Sequence, residues 1–298
     1  MNYTDIERVC VESKSIFARN YNLADKSTMK VGGECDIFAV PSSKEALLRL
    51  LNACRGNGIP YFVLGRGSNV IIKKFAGCVI HLGQSFSRIQ IEGNTVTAEA
   101  GASLSAVCNE ALAHSLGGME CLYGIPGSVG GALYMNAGAY GGEMKDIVVS
   151  AECVDNNGNF VTLTADEMNL AYRKSVFCDK GYCILSVTME LHPEDKALIK
   201  QKMDELMQKR RDKQPLEYPS CGSTFKRPPN AFAAALIEEC GLKGYTVGGA
   251  QVSEKHSGFV INKGNATFDD ITELIRRVKK IVREKKGVEL ECEIIIVE

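Results

Sequence analysis

The sequence contains no C-x-x-C pair. Its 12 cysteines are scattered, and the closest two, Cys178 and Cys183, stand five positions apart. That spacing gives no support to a zinc or iron–sulfur centre, so no metal site is expected. Most cysteines sit among apolar neighbours, as in Leu51-Asn-Ala-Cys54 and Gly77-Cys-Val-Ile80. They read as free buried thiols of a reducing, cytoplasmic setting rather than as disulfide partners. A basic surplus is also missing: 35 Lys and Arg stand against 36 Asp and Glu, a formal net charge of −1. This argues against a nucleic-acid partner held through phosphate contacts. The start, Met1-Asn-Tyr-Thr-Asp-Ile-Glu7, is acidic and polar and has no secretory or transit character. No Gly-Lys dipeptide occurs, which excludes a P-loop. The longest uncharged run lies between Glu120 and Glu143, but its glycines, Pro126 and Asn136 make a poor lipid-facing helix. It is expected to be a buried or ligand-facing loop system, and no membrane partner is expected. There is no internal repeat and no low-complexity tract. With 45% hydrophobic and 24% charged residues, the composition is that of a soluble globular protein of two or three domains.

Glycine is what the chain has in quantity. Seven of its 29 glycines fall in the 20 residues from Gly124 to Glu143. That density lets backbone approach another group closely and puts N–H donors where side chains would stand. A phosphate, ideally the pyrophosphate of a dinucleotide, suits such a wall. A close crossing of two strands is the structural alternative. A second loop, Gly65-Arg-Gly-Ser-Asn69, follows an apolar run as a phosphate loop would. It is not the Rossmann fingerprint, which would need a third glycine where Val70 stands, and by itself it reads as a tight turn.

The periodicity around these loops is α+β. Ser42-Ser-Lys-Glu45 has the form of a capping box ahead of Leu47, Leu50, Leu51 and Cys54 at helical spacing. Strands are expected over 59–64, 70–72, 78–82, 95–99, 148–154, 160–163 and 183–191. Asp155-Asn-Asn-Gly158 is a hairpin turn between the fifth and sixth of these. Helices are expected over 103–116, 193–212, 230–240 and 267–286, followed by a strand over 288–297. The pattern changes near 195–220. In the last strand Glu289, Glu291 and Glu293 share one face by their period of two. Ile295 and Val297 continue that face, so Glu293 would stand where exposure gives way to burial. A carboxyl group there can have a shifted pKa. The Ser220–Pro228 segment mixes hydroxyls, a thiol and two cations and reads locally as a basic surface loop. Tyr172-Arg-Lys-Ser175 and His256 carry no signal alone.

Taken together and in order, these segments resemble a known family. They are Val31-Gly-Gly33, Leu64-Gly-Arg-Gly-Ser-Asn-Val-Ile71, Gly124-Ile-Pro-Gly-Ser-Val-Gly-Gly131, Asn136-Ala-Gly-Ala-Tyr-Gly141, Tyr172–Ser175, Gly222-Ser-Thr-Phe-Lys-Arg-Pro228, Gly248–His256 and Glu291-Cys-Glu293. The chain is similar over nearly its whole length to the UDP-N-acetylenolpyruvoylglucosamine reductases of bacterial cell-wall synthesis, in their shorter form. The resemblance implies a vanillyl-alcohol-oxidase-type FAD-binding fold of two α+β subdomains, 1–78 and 79–197. A C-terminal α+β substrate-binding domain, 198–298, would follow, with the last residues able to pack back on the first subdomain. It implies FAD, bound non-covalently between the first two domains. The contacts it points to are Leu64, Gly65, Arg66, Gly67, Ser68, Asn69, Val70 and Gly101. To these it adds Gly124, Ile125, Pro126, Gly127, Ser128, Gly130, Gly131, Ala132, Asn136, Ala137 and Gly138.

The same resemblance implies that NADPH reduces the flavin and leaves, and that UDP-N-acetylglucosamine enolpyruvate then enters and takes a hydride at its vinyl carbon. By position Ser223 resembles the proton donor, and Arg173 and Glu293 the pair that stabilises the enolate. Lys226, Arg227, Gln251 and His256 are the candidates for the UDP-sugar side. Cys221 departs from the family, which more usually has an alanine there; packing is expected of it, with sensitivity to alkylation as the alternative. The implied protein is cytoplasmic and monomeric. Two other readings stay open at this level: another FAD-dependent oxidase or dehydrogenase of the same fold, and a non-catalytic nucleotide-sugar binding module.

Overall fold

The computed structural model describes all residues, 1–298. They group into two compact units. Met1–Asn20, Asp36–Arg66 and Ala76–Gln208 form the first; Tyr21–Cys35, Gly67–Phe75 and Lys209–Glu298 form the second.

The first unit is built on two sheets. One has the strand order Ile16–Asn22, Glu34–Val40, Phe75–His81, Tyr61–Leu64. Its last two strands are parallel, with Tyr61 opposite Cys78 and Leu64 opposite His81. Helix Lys44–Gly56 buries Leu47, Leu50, Leu51 and Cys54, the stripe its sequence spacing predicts, and packs on helix Thr4–Glu12. Its cap is Ser43, one residue later than the expected capping box. The Ser43 side chain accepts from the Ala46 N–H at 3.2 Å, whereas the Ser42 hydroxyl donates to the Ser13 carbonyl. The other sheet is antiparallel, in the order Phe160–Thr164, Val148–Val154, Cys183–Glu190, Thr95–Glu99, Ile89–Glu92. The hairpin turn at 155–158 is present, with the Asp155 carboxylate accepting from the N–H groups of Asn157 and Asn159 at 2.8 Å each. Ile37, Leu50 and Ile80 around the first sheet and Val96, Val187 and Met189 of the second belong to one buried core. The 78/79 division expected between subdomains falls inside strand Phe75–His81.

The second unit packs helix Phe268–Lys286 on an antiparallel sheet of Thr246–Val247, Ala250–Val252 and Val260–Asn262. The helix buries Ile271, Leu274, Ile275, Val278 and Val282 on one face. Thr267 and Asp270 cap it reciprocally, and Gly287 ends it in the left-handed region at φ 67°. The expected strand over 288–297 is shorter: only Ile295–Val297 is extended, pairing in parallel with Val70–Ile72. Residues 288–294 make a single antiparallel bridge, Cys292 to Phe225, closed by the Lys226 N–H on the Glu291 carbonyl and the Glu293 N–H on the Thr224 carbonyl, and the chain bends directly after it at Glu293 and Ile294. The period-two argument for Glu289, Glu291 and Glu293 therefore does not hold. No helix is long and apolar enough to cross a membrane, and all 12 cysteines are free.

Candidate active site

The two glycine loops meet within the first unit. A Cβ placed on Gly65 would stand 2.3 Å from the Ser128 hydroxyl oxygen. The Gly124–Glu143 stretch is not all loop. Ser128 caps a one-and-a-half-turn helix, Val129–Tyr134, and accepts from the Gly131 N–H at 3.3 Å. Glycine disfavours helix, but this one rests on strand Cys183–Glu190, so packing overrides propensity. Val129 and Gly130 donate to the carbonyls of Ala102 and Ala100 at 2.8 and 2.9 Å, and Leu104 to that of Gly127 at 3.1 Å. A Cβ on Gly130 would lie 2.7 Å from that of Ala100, and one on Gly101 within 2.8 Å of three carbonyl oxygens. These glycines are required by backbone approaching backbone. Leu64, Gly127, Ser128 and Ala132 are buried, Ile125 and Gly124 half-buried, and Arg66, Pro126 and Gly131 exposed.

This arrangement passes a test of fit for a dinucleotide. Gly65 can lie against Ser128 only without a side chain, which lets the backbones of the two segments come close. In this unit the donor set is neutral backbone, the Ser128 hydroxyl and one exposed cation, Arg66. No carboxylate interrupts the run from Gly124 to Gly142. A pyrophosphate matches that chemistry.

Arg173, also in the first unit, sits at the tip of a tight turn. Ala171 and Lys174 exchange two backbone hydrogen bonds of 3.0 and 3.1 Å across it. Arg173 is half-buried, adopts a left-handed φ of 53°, and holds its guanidinium 5.0 Å from the centre of the Tyr172 ring. Beneath the turn lies Asn136, fully buried, whose side chain meets Glu143, Lys145 and Ala171. Ala137 and Gly138 follow it, half-buried, and Gly138 pairs with Glu143.

Ser223 and Glu293 are brought together in the second unit, across 70 residues of chain. Gly222 turns the backbone at φ 71°, and Ser223 follows, half-buried. Thr224 is the anchor. Its N–H donates to the Gly258 carbonyl at 2.8 Å, its hydroxyl accepts from the Val260 N–H at 2.9 Å, and its carbonyl accepts from the Glu293 N–H at 2.8 Å. Glu293 is held from its other side by Asn69, whose side chain donates to the Glu293 carbonyl at 3.1 Å. Asn69 also accepts from the Ile295 N–H at 2.9 Å, next to the parallel pairing of Val70 with Ile295. In the same unit Gly67 has a φ of 62° and could not carry a Cβ, which would lie 1.9 Å from the Lys26 carbonyl. Sequence reasoning gave no part to Thr224; its hydroxyl bond spans 36 residues and leaves no local signal. Cys221 is buried against the carbonyl of Val70 at 3.6 Å, and burial pushes its thiol pKa up. A protonated, inaccessible thiol is a packing group.

The candidates for the sugar-nucleotide side lie in this unit too. Lys226 is paired with Glu291 at 3.2 Å, and Arg227 is exposed with its guanidinium 4.8 Å from the Phe232 ring centre. Gln251 donates from its amide to the Gly244 carbonyl and the Thr246 hydroxyl at 3.3 and 3.1 Å. His256 accepts from the Gly258 N–H at its Nδ1, at 3.2 Å, and meets Phe259 edge to face. Burial pushes its pKa down, so the ring is neutral and its Nε2 carries the hydrogen.

Known proteins share both parts of the chain. Residues 35–164 match the family model described as an FAD binding domain, and residues 214–297 that of the UDP-N-acetylenolpyruvoylglucosamine reductase C-terminal domain. The UDP-N-acetylenolpyruvoylglucosamine reductase of Clostridium novyi is 50% identical over 285 residues, covering 95% of this chain and 91% of its own length. That of Caldanaerobacter subterraneus is 50% identical over 273 residues, covering 91% of this chain and 90% of its own length. The crystal structure of the UDP-N-acetylenolpyruvylglucosamine reductase of Thermus caldophilus is 34% identical, covers 95% of this chain and 99% of its own, and superposes with a TM-score of 0.81.

Proposed function

Because the chain belongs to the family of UDP-N-acetylenolpyruvoylglucosamine reductases, we propose how its own residues carry that activity. The fold is the vanillyl-alcohol-oxidase-type FAD-binding fold with a C-terminal α+β domain, in the shorter form of the family. The protein is an FAD-dependent oxidoreductase of peptidoglycan precursor synthesis. It reduces the enolpyruvyl group of UDP-N-acetylglucosamine enolpyruvate to UDP-N-acetylmuramate, with NADPH as donor. The chemistry that bound FAD supplies is two-electron transfer from NADPH to the vinyl carbon. Leu64, Gly65, Arg66, Gly67, Ser68, Asn69 and Val70 would hold it, with Gly101, Gly124, Ile125, Pro126, Gly127, Ser128, Gly130, Gly131, Ala132, Ala137 and Gly138.

Charge then builds beside the substrate carboxylate. Arg173 and Glu293 stabilise it, the first as a fixed cation and the second as a protonated acid. Such groups favour the transition state over the ground state. Ser223 delivers the proton to the carbon next to the carboxylate. A serine is a weak acid, so it serves only against a strongly basic carbon with a relay behind it. Lys226 and Arg227 take the diphosphate, the guanidinium in two parallel hydrogen bonds. Gln251 offers its carbonyl oxygen and His256 its Nε2–H to the sugar nucleotide. The enzyme works as a cytoplasmic monomer, which sedimentation would show as one species of 32.4 kDa; a stable dimer would contradict that.

The observation that supports this reading is the Thr224 anchor, which ties the Glu293 backbone to the residue after Ser223 within one unit. Its test is Ser223→Ala in rapid mixing. Flavin reduction by NADPH is expected to persist, while reoxidation by the enolpyruvyl nucleotide slows by roughly 10²- to 10⁴-fold, the usual worth of a positioned proton donor. Normal turnover in that variant would remove Ser223 from the mechanism.

A further inference from the structure

We propose that Asn136 is a positioning residue for Arg173: from a fully buried place its amide fixes the turn that carries the guanidinium. The inference rests on the role given to Arg173 above and adds to it. Asn136 sits in the glycine-rich segment, where a cofactor contact was expected. Both of its amide hydrogens are spent inside the protein: its Nδ2 donates to the Ala171 carbonyl at 3.0 Å and to the Glu143 carboxylate at 3.0 Å. Its Oδ1 accepts from the Lys145 N–H at 2.9 Å. An asparagine amide has two N–H donors, so neither remains for a ligand.

Ala171 closes the two-residue turn around Tyr172 and Arg173, and its carbonyl takes both the Lys174 N–H and the Asn136 amide. The other end of the turn is tied to the same segment, for the Ser175 hydroxyl donates to the Tyr134 carbonyl at 2.6 Å. Between these ties Arg173 is held at φ 53°, a backbone state that a residue with a side chain adopts reluctantly. Asn136 itself lies at 42° and Tyr140 at 53°. Two such residues, Arg173 and Asn136, joined through the Ala171 carbonyl, mark a place where the fold over-determines the backbone. Glu143 completes the frame. The Lys145 ammonium above all, 2.8 Å away, then the Asn136 amide and the Arg173 charge, hold its carboxyl below the usual range. One buried amide therefore grips both the turn, through the Ala171 carbonyl, and the Glu143 carboxylate. A cation aimed at developing charge is effective only while its aim is fixed.

The test uses the FAD-loaded enzyme and Asn136→Asp, which keeps the shape and tolerates positive φ but replaces the two donors by a carboxylate. Rapid mixing is expected to give flavin reduction by NADPH within about twofold of native, and reoxidation by the enolpyruvyl nucleotide slower by about 100-fold. FAD affinity should not change. Arg173→Ala is measured beside it, with the double variant expected to be no slower than Arg173→Ala alone, since Asn136 acts only through Arg173. If Arg173→Ala reoxidises at the native rate, the role of Arg173 falls and this inference with it. If Arg173→Ala is slow but Asn136→Asp is not, or if the two losses multiply, the inference alone is overturned. It is also overturned if Asn136→Asp weakens FAD binding but turns over normally once saturated. Should Asn136→Asp not fold, Asn136→Gly accepts the same φ, and the same results decide.

Discussion

A methyl group on Gly65 would collide with the Ser128 hydroxyl, 2.3 Å away. That hydroxyl also caps the helix Val129–Tyr134. Gly65→Ala must therefore move the cap or part the two loops. The lost cap alone is worth about 1 kcal/mol. We expect the variant to fold and to bind FAD at least about tenfold more weakly, the equivalent of about 1.4 kcal/mol, in a flavin fluorescence titration. Unchanged affinity would mean that this contact does not shape the cofactor site. Other residues show how far sequence carries. The glycines at 65, 67 and 130 stand out in composition because each excludes a side chain. The Thr224 hydroxyl and the Asn136 amide do not, since their partners lie far along the chain or are ordinary carbonyls. Arg173 looks like a surface cation in sequence; only its left-handed backbone and its anchored turn set it apart.

Elements with a strong local signal formed where the pattern put them, and weak ones shifted. The helix Phe268–Lys286 has a reciprocal cap, six buried residues on one stripe and a left-handed glycine at its end. Its cap is also a tertiary contact, because the Asp270 carboxylate accepts the Gly249 N–H at 3.3 Å besides that of Thr267 at 2.9 Å. Thr267→Ala should lower stability by about 1 kcal/mol in urea unfolding. Hydrogen bonds from Thr267 and Gly249 hold the Asp270 pKa below its ordinary 3.8. A depressed carboxyl stabilises above its unfolded pKa and ceases to do so as pH falls through the folded one. The Thr267→Ala penalty should thus shrink below pH 4; a penalty constant down to pH 2 would contradict this. The segment 288–294 failed as a strand because alternation reports a half-buried face, not a pairing partner. Its neighbour is the irregular loop after Thr224, which offers a single antiparallel bridge, Phe225 to Cys292, before the chain bends at Glu293. The helix at Val129–Tyr134 was hidden for the opposite reason: glycine gives no helical signal, and the packing that holds it is remote.

At the scale of the molecule, the fold class and the family were legible, because several short motifs in fixed order are specific where each alone is not. The division into units was less so. Two sheets expected to belong to separate subdomains share one core, and the chain enters the second unit three times, at 21–35, 67–75 and 209–298. Such crossings leave no break in composition. They have a consequence for the site: Gly67, Ser68 and Asn69 of the cofactor loop belong to the same unit as Ser223 and Glu293, and Asn69 touches Glu293 directly. The account's central claim is that one bound flavin takes electrons from NADPH and gives them to the enolpyruvyl nucleotide. The visible spectrum of the purified, FAD-loaded protein tests it without any variant. Under anaerobic conditions NADPH should bleach the flavin absorption, and the enolpyruvyl nucleotide should then restore it with one equivalent of UDP-N-acetylmuramate formed. A protein that takes up no FAD, or whose reduced flavin is restored by oxygen but not by the nucleotide, would contradict it.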